Sequence, residues 1–275
     1  MPESTGAARA EPGADSLRGV PRTLLIPLYA KALDYRSPRS ILGDASADRI
    51  VRSLDADFEA VGGRGSHVVL AERSRQLDEW TRAFLARHPD ALALHLGCGL
   101  DARVERIGPP ATSLWIDVDY PEVIAVRRRF YAEGIGRTML GTSLTAPGWI
   151  EALPSGRPTI AIADGVLPYL APEEVGTLLR RITAHFGGGA AVFDIANSFA
   201  VERATAQQRG RTGVTLRWAV DDLAELDAMD PRLHRQEVRD LLSSPRLPFR
   251  YRFAYRWTVF SPRLRHVLRL VRAEF

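Results

Sequence analysis

The sequence predicts an α/β fold, a mostly parallel sheet with helices on both faces. Three observations predict it. Five short apolar runs, ALALHL (91–96), TSLWI (112–116), RTMLG (137–141), PTIAIA (158–163) and GAAVFDIA (189–196), are each followed by a turn or polar residue. The stretches between them are mostly helical or loop-like, with room for one helix each. The first run delivers a glycine-rich turn, GCGLDA (97–102). Continuous apolar strands alternating with helices are buried on both faces and run parallel.

Taken in order, residues 1–17 are small, polar and rich in Pro and Gly, which reads as a disordered tail. Residues 20–62 alternate short helical patterns, LLIPLYAKALDY and ADRIVRSLDADF, with Pro and Gly breaks. AERSRQLDEWTRAFLARH (71–88) places Leu77, Trp80, Phe84 and Leu85 on one face of a helix that HPD ends. PEVIAVRRRFYAEG and APEEVGTLLRRITAHFGGG are the clearest later helices, the second closing on a glycine C-cap. In PFRYRFAYRWTVF (248–260) aromatic residues alternate with Arg or Ala. That period of two predicts an antiparallel strand or hairpin at the sheet edge, with Phe249, Tyr251, Phe253, Tyr255 and Trp257 facing the core. The domain reading is a tail at 1–17 and one domain at 18–275. Within it, 18–90 form N-terminal helices and lid, 91–200 the cofactor-binding core, and 201–275 a lid segment and C-terminal antiparallel strands.

Composition narrows the classes. Hydrophobic residues make up 45% and charged residues 25% of the 275, ordinary globular usage. No apolar run is long enough to span a membrane, so no membrane partner is expected. The N-terminus lacks the apolar core of a secretory signal, and a cytoplasmic location is expected. One cysteine excludes an internal disulfide and a cysteine-based zinc site, and no metal is expected. Lys31 is the only lysine, and from Arg232 onward eleven arginines meet three acidic residues. Such a basic end can mark a nucleic-acid partner, but a net charge of +4 over the whole chain is small for one.

The turn at 97–102 formally satisfies G-x-G-x-x-A, and Asp117 lies twenty residues beyond Gly97. That is the dinucleotide fingerprint. Asp101 would repel a pyrophosphate, however, and Gly108-Pro109-Pro110 cut the following helix short. S-adenosylmethionine suits the residues better. It has no phosphate, its ammonium tolerates an acid at the loop, and glycines let the backbone approach its methionine part. An acid at the end of the second strand, in WIDVD, can accept both ribose hydroxyls, and arginine matches its carboxylate bidentately.

Four stretches together resemble the leucine carboxyl methyltransferase family, and within it the bacterial branch typified by the tetracenomycin polyketide O-methyltransferase. They are TLLIPLYAKALDYRSP (23–38), ERSRQLDEWTRAFLARHPDALALHLGCGLDARVER (72–106), LWIDVDYPEVIAVRR (114–128) and ADGVLPYL (163–170); LRWAVDDLAEL…DPRL (216–233) also looks like that branch. The resemblance implies a Rossmann-like class I methyltransferase with a mostly parallel seven-stranded sheet and an added helical lid. Its cofactor would be S-adenosylmethionine and its acceptor an oxygen. Carried over by motif, Arg73 would bind the cofactor carboxylate, with Lys31 nearby. Gly97 and Gly99 would line the methionine part beside Asp101. Asp119 would take the ribose, Ser143 and Leu144 would flank adenine, and Asp164 would sit near the amino group. The family usually has Glu at the position of Asp164 and a flexible apolar residue at that of Pro168.

Methyl transfer from a sulfonium asks mainly for alignment and exclusion of water. A carboxylate acceptor is already ionised at neutral pH, whereas a phenol would gain from a base. None of the six histidines stands in a base motif. His95 reads as a core residue and His67 as a lid candidate. The expected function is O-methylation of a carboxylate or phenol on a small aromatic or polyketide-type acceptor, as in antibiotic biosynthesis. Tyr169 would orient that acceptor, or simply pack. Tyr29 and Tyr35 are candidates for a lid pocket, Arg203 for an acidic acceptor, and Cys98 reads as a small loop residue. Three alternatives stay open: methylation of a protein C-terminus, a cofactor-binding protein that does not methylate, and a basic nucleic-acid module on a Rossmann scaffold.

Overall fold

A computed structural model describes residues 22–61, 66–209, 213–258, 260–261, 264 and 266–275. The tail at 1–17 lies outside the described residues. Seven strands form one sheet in the order β3-β2-β1-β4-β5-β7-β6. These are β1 (Leu92–Leu96), β2 (Leu114–Asp119), β3 (Arg137–Gly141), β4 (Thr159–Ala163), β5 (Gly189–Ala196), β6 (His234–Asp240) and β7 (Leu268–Glu274). The first five pair in parallel. β7 is antiparallel to both β5 and β6, so β6 again runs with β1. The expected run 112–116 is displaced toward its C-terminus, because Ser113 still turns back on Pro110 before the strand begins.

Alternation along β1 covers both faces. Leu92, Leu94 and Leu96 pack toward α7 (Pro172–Phe186), against Val175, Leu178 and Ile182. Ala91 and Ala93 face the other way, toward Leu77, Trp80, Phe84 and Leu85 of α4 (His67–Arg87). α7 ends at Gly187 in the left-handed conformation, φ 70°, a backbone that glycine adopts without strain. A third cluster joins α1 (Leu25–Tyr35) and α2 (Ala45–Ser53) to Leu100 and to Val123, Ile124 and Val126 of α6 (Pro121–Arg127). The short α3 (Phe58–Val61) closes this group, with Phe58 against the Tyr29 ring. α5 (Arg103–Ile107) is only five residues long and stops at Gly108 before the two prolines.

The C-terminal third corrects one expectation. PFRYRFAYRWTVF is not a strand: Phe249–Thr258 is a helix, α10. Alternating aromatics fit a helix as well, because Phe249, Phe253 and Trp257 also recur every fourth residue, as do Tyr251 and Tyr255. The buried antiparallel strand is β7, whose Leu270, Val271 and Ala273 are fully enclosed. α8 (Ser198–Arg209) and α9 (Leu223–Met229) fill the connection from β5 to β6.

Leu94 is fully buried between the sheet and α7. Replacing it with alanine is expected to lower the unfolding free energy by about 2–5 kcal/mol, read from the urea midpoint at unchanged slope.

Candidate functional site

The C-terminal ends of β1, β2 and β4 border a cavity of about 450 Å³, roofed by α1, the start of α4 and α8. That volume lies in the range of small-molecule sites. Gly97 and Gly99 both have positive φ, 59° and 50°. A methyl at Gly97 would overlap Val166, so the turn needs glycine there for its conformation and for its packing. Two side chains brace the turn from below. Arg127 donates to the carbonyls of Gly99 at 3.0 Å and Asp101 at 2.8 Å, and the Tyr131 hydroxyl donates to that of Leu100 at 2.9 Å.

Lys31, Arg73, Gly97, Gly99, Asp101, Asp119, Leu144, Asp164 and Tyr169 all line this one cavity. Ser143 does not. Its hydroxyl is shared with Thr145, and its neighbours Thr142 and Leu144 reach the cavity instead. β3 ends at Gly141, and the turn that follows carries Ser143 to the outside. Tyr29 and Tyr35 are also absent from the lining: Tyr29 points to Glu59 and packs on Phe58, and Tyr35 is exposed. Arg203 lies over the Phe199 ring on α8.

Asp119 ends β2 with one oxygen accepting from Gly99 N and the other from Tyr120 N, both at 2.8 Å. Each oxygen keeps a lone pair free. Burial pushes its carboxyl up, against the pull of those two N–H groups. Asp117, two residues earlier, is a structural residue. It takes Arg127 at 2.8 Å, His95 at 2.9 Å and the Trp115 indole at 3.0 Å. Arg103 lies 3.3 Å from His95 Nε2 and can only donate, so Nδ1 carries the proton that faces Asp117. Burial lowers the His95 pKa further than Asp117 raises it, and the ring stays neutral.

The cavity floor is a buried ion lattice. Lys31 Nζ is 2.8 Å from Asp101, which also receives Arg106 at 2.7 Å. Arg103 bonds Asp78 at 2.6 Å and Asp164 at 2.7 Å. Arg73 lies 2.7 Å from Asp164 and 3.2 Å from Asp194, and Arg106 continues to Asp78 and Asp44. Burial alone would raise the carboxyls of Asp101 and Asp164. Arg106, Lys31 and Arg103 hold the first, and Arg73, Arg103 and Lys31 the second, well below the usual carboxylate range. For Asp194 burial prevails over Arg73, and its carboxyl is raised.

This donor set fits S-adenosylmethionine. Four cations, Lys31, Arg73, Arg103 and Arg106, meet five carboxylates, Asp44, Asp78, Asp101, Asp164 and Asp194. The lattice is thus one negative charge in excess, and the cofactor, with ammonium, sulfonium and carboxylate, carries one positive. At the cavity Arg73 Nε lies 2.7 Å from Asp164 Oδ1, and Lys31 Nζ lies 2.8 Å from Asp101 Oδ2. An ammonium would add to the two carboxylates there, and a carboxylate to the two cations.

Arg103, Arg106, Asp78 and Asp194 did not stand out in the sequence. A signal existed for Asp194, the one charged residue in GAAVFDIA, since a charge inside a buried strand must be paired. Arg103 and Arg106 stand three apart directly after the glycine turn, on one side of a short helix.

The family model described as leucine carboxyl methyltransferase matches residues 25–183. The tetracenomycin polyketide synthesis O-methyltransferase TcmP of Streptomyces glaucescens is 40% identical over 94% of this chain and 98% of its own length. The S-adenosyl-L-methionine-dependent methyltransferase dpfgK of Gibberella zeae is 32% identical over 82% of this chain and 83% of its own. A solved structure of a candidate methyltransferase from Thermobifida fusca superposes with a TM-score of 0.55 at 16% identity, covering 89% of this chain and 93% of that one. That likeness speaks for the fold alone.

The depressed carboxyls set an acid limb of stability. A carboxyl whose folded pKa lies below its unfolded value, near about 4, contributes its full stabilisation above that pH. The contribution is lost as pH falls further. Urea unfolding between about pH 5 and pH 3 is expected to show falling stability, with a shallower slope in Asp101→Asn. An equal slope in the two proteins would contradict the assignment.

Proposed function

We propose, for a chain that belongs to the leucine carboxyl methyltransferase family, O-methylation of the carboxylate of a small aromatic, polyketide-type acid. Membership makes the chain an S-adenosylmethionine-dependent methyltransferase. When bound, that cofactor supplies a methyl group already activated by its sulfonium. The protein's own residues then bind, orient and exclude water. In this reading Arg73 and Lys31 attract the cofactor carboxylate, Asp164 and Asp101 the ammonium, and Asp119 the ribose hydroxyls. Gly97 and Gly99 admit the methionine part, and Leu144 with Thr142 borders adenine.

One observation carries the choice of a carboxylate over a phenol: among the described residues lining the cavity, every candidate base except Asp119, which this reading gives to the ribose, is spoken for. His95 is neutral, with Nε2 facing Arg103. Asp101 and Asp164 are ionised and held by cations, which makes them weak bases. Burial drives the Cys98 thiol well up, so it stays protonated. With Asp119 taken by the ribose, a phenol would have no base among the described lining residues to take its proton, and a carboxylate needs none. The other wall of the cavity is apolar, with Leu24, Ile26, Pro27, Leu70 and Leu170, which suits an aromatic body. The relative TcmP, named for tetracenomycin polyketide synthesis, is consistent with such an acceptor.

Tyr169 brings a hydroxyl to the same cavity. Its hydroxyl lies 3.5 Å from Gln208 Oε1. Burial raises its pKa, against Gln208 and Arg73, so it remains a donor at neutral pH. A neutral donor can orient a carboxylate without neutralising it, which leaves the oxygen nucleophilic. Tyr169→Phe is expected to raise the acceptor KM about tenfold while leaving the dissociation constant for S-adenosylmethionine unchanged. A change in cofactor affinity alone would assign Tyr169 to the other half of the cavity.

The functional test has two stages. Calorimetric titration is expected to give micromolar binding of S-adenosylmethionine, lost in Asp119→Ala. Methyl-labelled cofactor is then offered with aromatic acids and with phenols lacking a carboxyl. Label released as methanol by mild alkali marks a methyl ester, the expected product; alkali-stable label marks an aryl ether and would replace the carboxylate by a phenol.

A further inference from the structure

α10 carries a row of aromatic side chains that nothing in the described structure covers. Phe249, Phe253 and Trp257 are 75%, 50% and 65% exposed, and Phe260 continues the row at 81%. Successive rings lie 5.7, 6.3 and 6.5 Å apart. A contiguous exposed apolar stripe of this kind marks an interaction surface rather than scattered surface residues. At about 100° per residue, Tyr251 and Tyr255 fall on the opposite side. Both are half-buried, and Tyr255 is hydrogen-bonded to Asp240 at the end of β6, its phenol pushed up to about 12 by burial and then by that carboxylate. The helix is therefore held by its tyrosines with its other rings outward.

The charge around the row has one sign. No acidic residue occurs between Asp240 and Glu274. Arg250 flanks the row on one side, over the Tyr251 ring, and Arg252 and Arg256 flank it on the other. All three are exposed, and Arg252 and Arg256 have no acidic partner among the described residues. Because β6 runs with β1, its end at Asp240, to which Tyr255 is hydrogen-bonded, lies on the same edge of the sheet as the cavity.

We propose that α10 docks on an anionic lipid bilayer. The helix lies in the plane of the surface, its aromatic row at the boundary of headgroups and acyl chains, and its arginines among the phosphates. Amphipathic helices with aromatic residues on one face and arginines beside it bind in this way without spanning. The chemistry selects this occupant. A bilayer offers negative charge on both flanks of an inserted row, matching arginines on both flanks. A second copy of the chain would bring arginines against arginines. The docking would hold the cavity's edge of the sheet toward the lipid, where apolar aromatic molecules collect.

The full chain is sedimented with vesicles of phosphatidylglycerol and phosphatidylcholine in equal parts, and with pure phosphatidylcholine vesicles. Partitioning onto the anionic vesicles only, weakened by salt, is expected. Arg252→Gln with Arg256→Gln should reduce it roughly thirtyfold, and Phe253→Ala with Trp257→Ala should abolish it, with cofactor affinity and circular dichroism unchanged in both double variants. No partitioning at low salt, or equal partitioning of the variants, overturns the proposal. So does a dimer of the free protein that Phe253→Ala with Trp257→Ala dissociates, or binding of single-stranded oligonucleotide in preference to the vesicles.

Discussion

The buried pairing of Arg103 with Asp164 and Asp78 is the constraint on which the site depends. Arg103 has no exposure to solvent, and an uncompensated charge there would be prohibitive. Its two carboxylates come from distant parts of the chain, Asp78 from the middle of α4 and Asp164 from the turn after β4. Satisfying one guanidinium thus fixes the distance from α4 to the sheet. Lys31 adds α1 through Asp101, Arg106 adds the N-cap of α2 through Asp44, and Arg73 adds β5 through Asp194. Asp44 does two jobs, since its other oxygen caps α2 at Ala47 N. The roof over the cavity is positioned by electrostatics at its floor.

The same lattice limits the chemistry. Carboxylates pinned by guanidinium groups lose basicity, and the neutral imidazole of His95 faces one of those groups. A cavity built this way binds charged groups well and moves protons poorly. Methyl transfer from a sulfonium to an ionised oxygen needs the first property and not the second. A buried ion lattice is a costly way to stabilise a fold, and its placement at the ends of β1 and β4 is better understood from the ligand than from stability.

Much of this was legible. The five parallel strands follow from apolar runs that end in turn residues, and the short α5 from Gly108 and the two prolines. Much of the cavity's lining was legible through motif positions, because glycines and an acid at strand ends have narrow uses. Ser143 lies one residue outside that lining: its neighbours Thr142 and Leu144 reach the cavity, and a motif position says nothing about which way a turn faces. Arg103 and Asp78 were hidden for a different reason. A charged residue on a short helix normally reads as solvated, and only the three-dimensional crossing of α4 over the glycine turn makes these two a buried pair.

The misreading of 248–260 has a physical cause that reaches further. A strict alternation of aromatic and other residues satisfies a strand, yet the same letters put three aromatics on one helical face and two on the other. Neither period decides until a partner is named. β7 already has β5 and β6 on its two sides, so a strand there would have had to pair with the outer edge of β6. Instead of extending the sheet at β6, the segment closes its own backbone hydrogen bonds as a helix. Only the tyrosine side is taken up by the protein. The remaining aromatic row, ringed by arginine with no acid for more than thirty residues along the chain, is left turned outward, and its periodicity is better explained by a surface it meets outside the fold than by one within it.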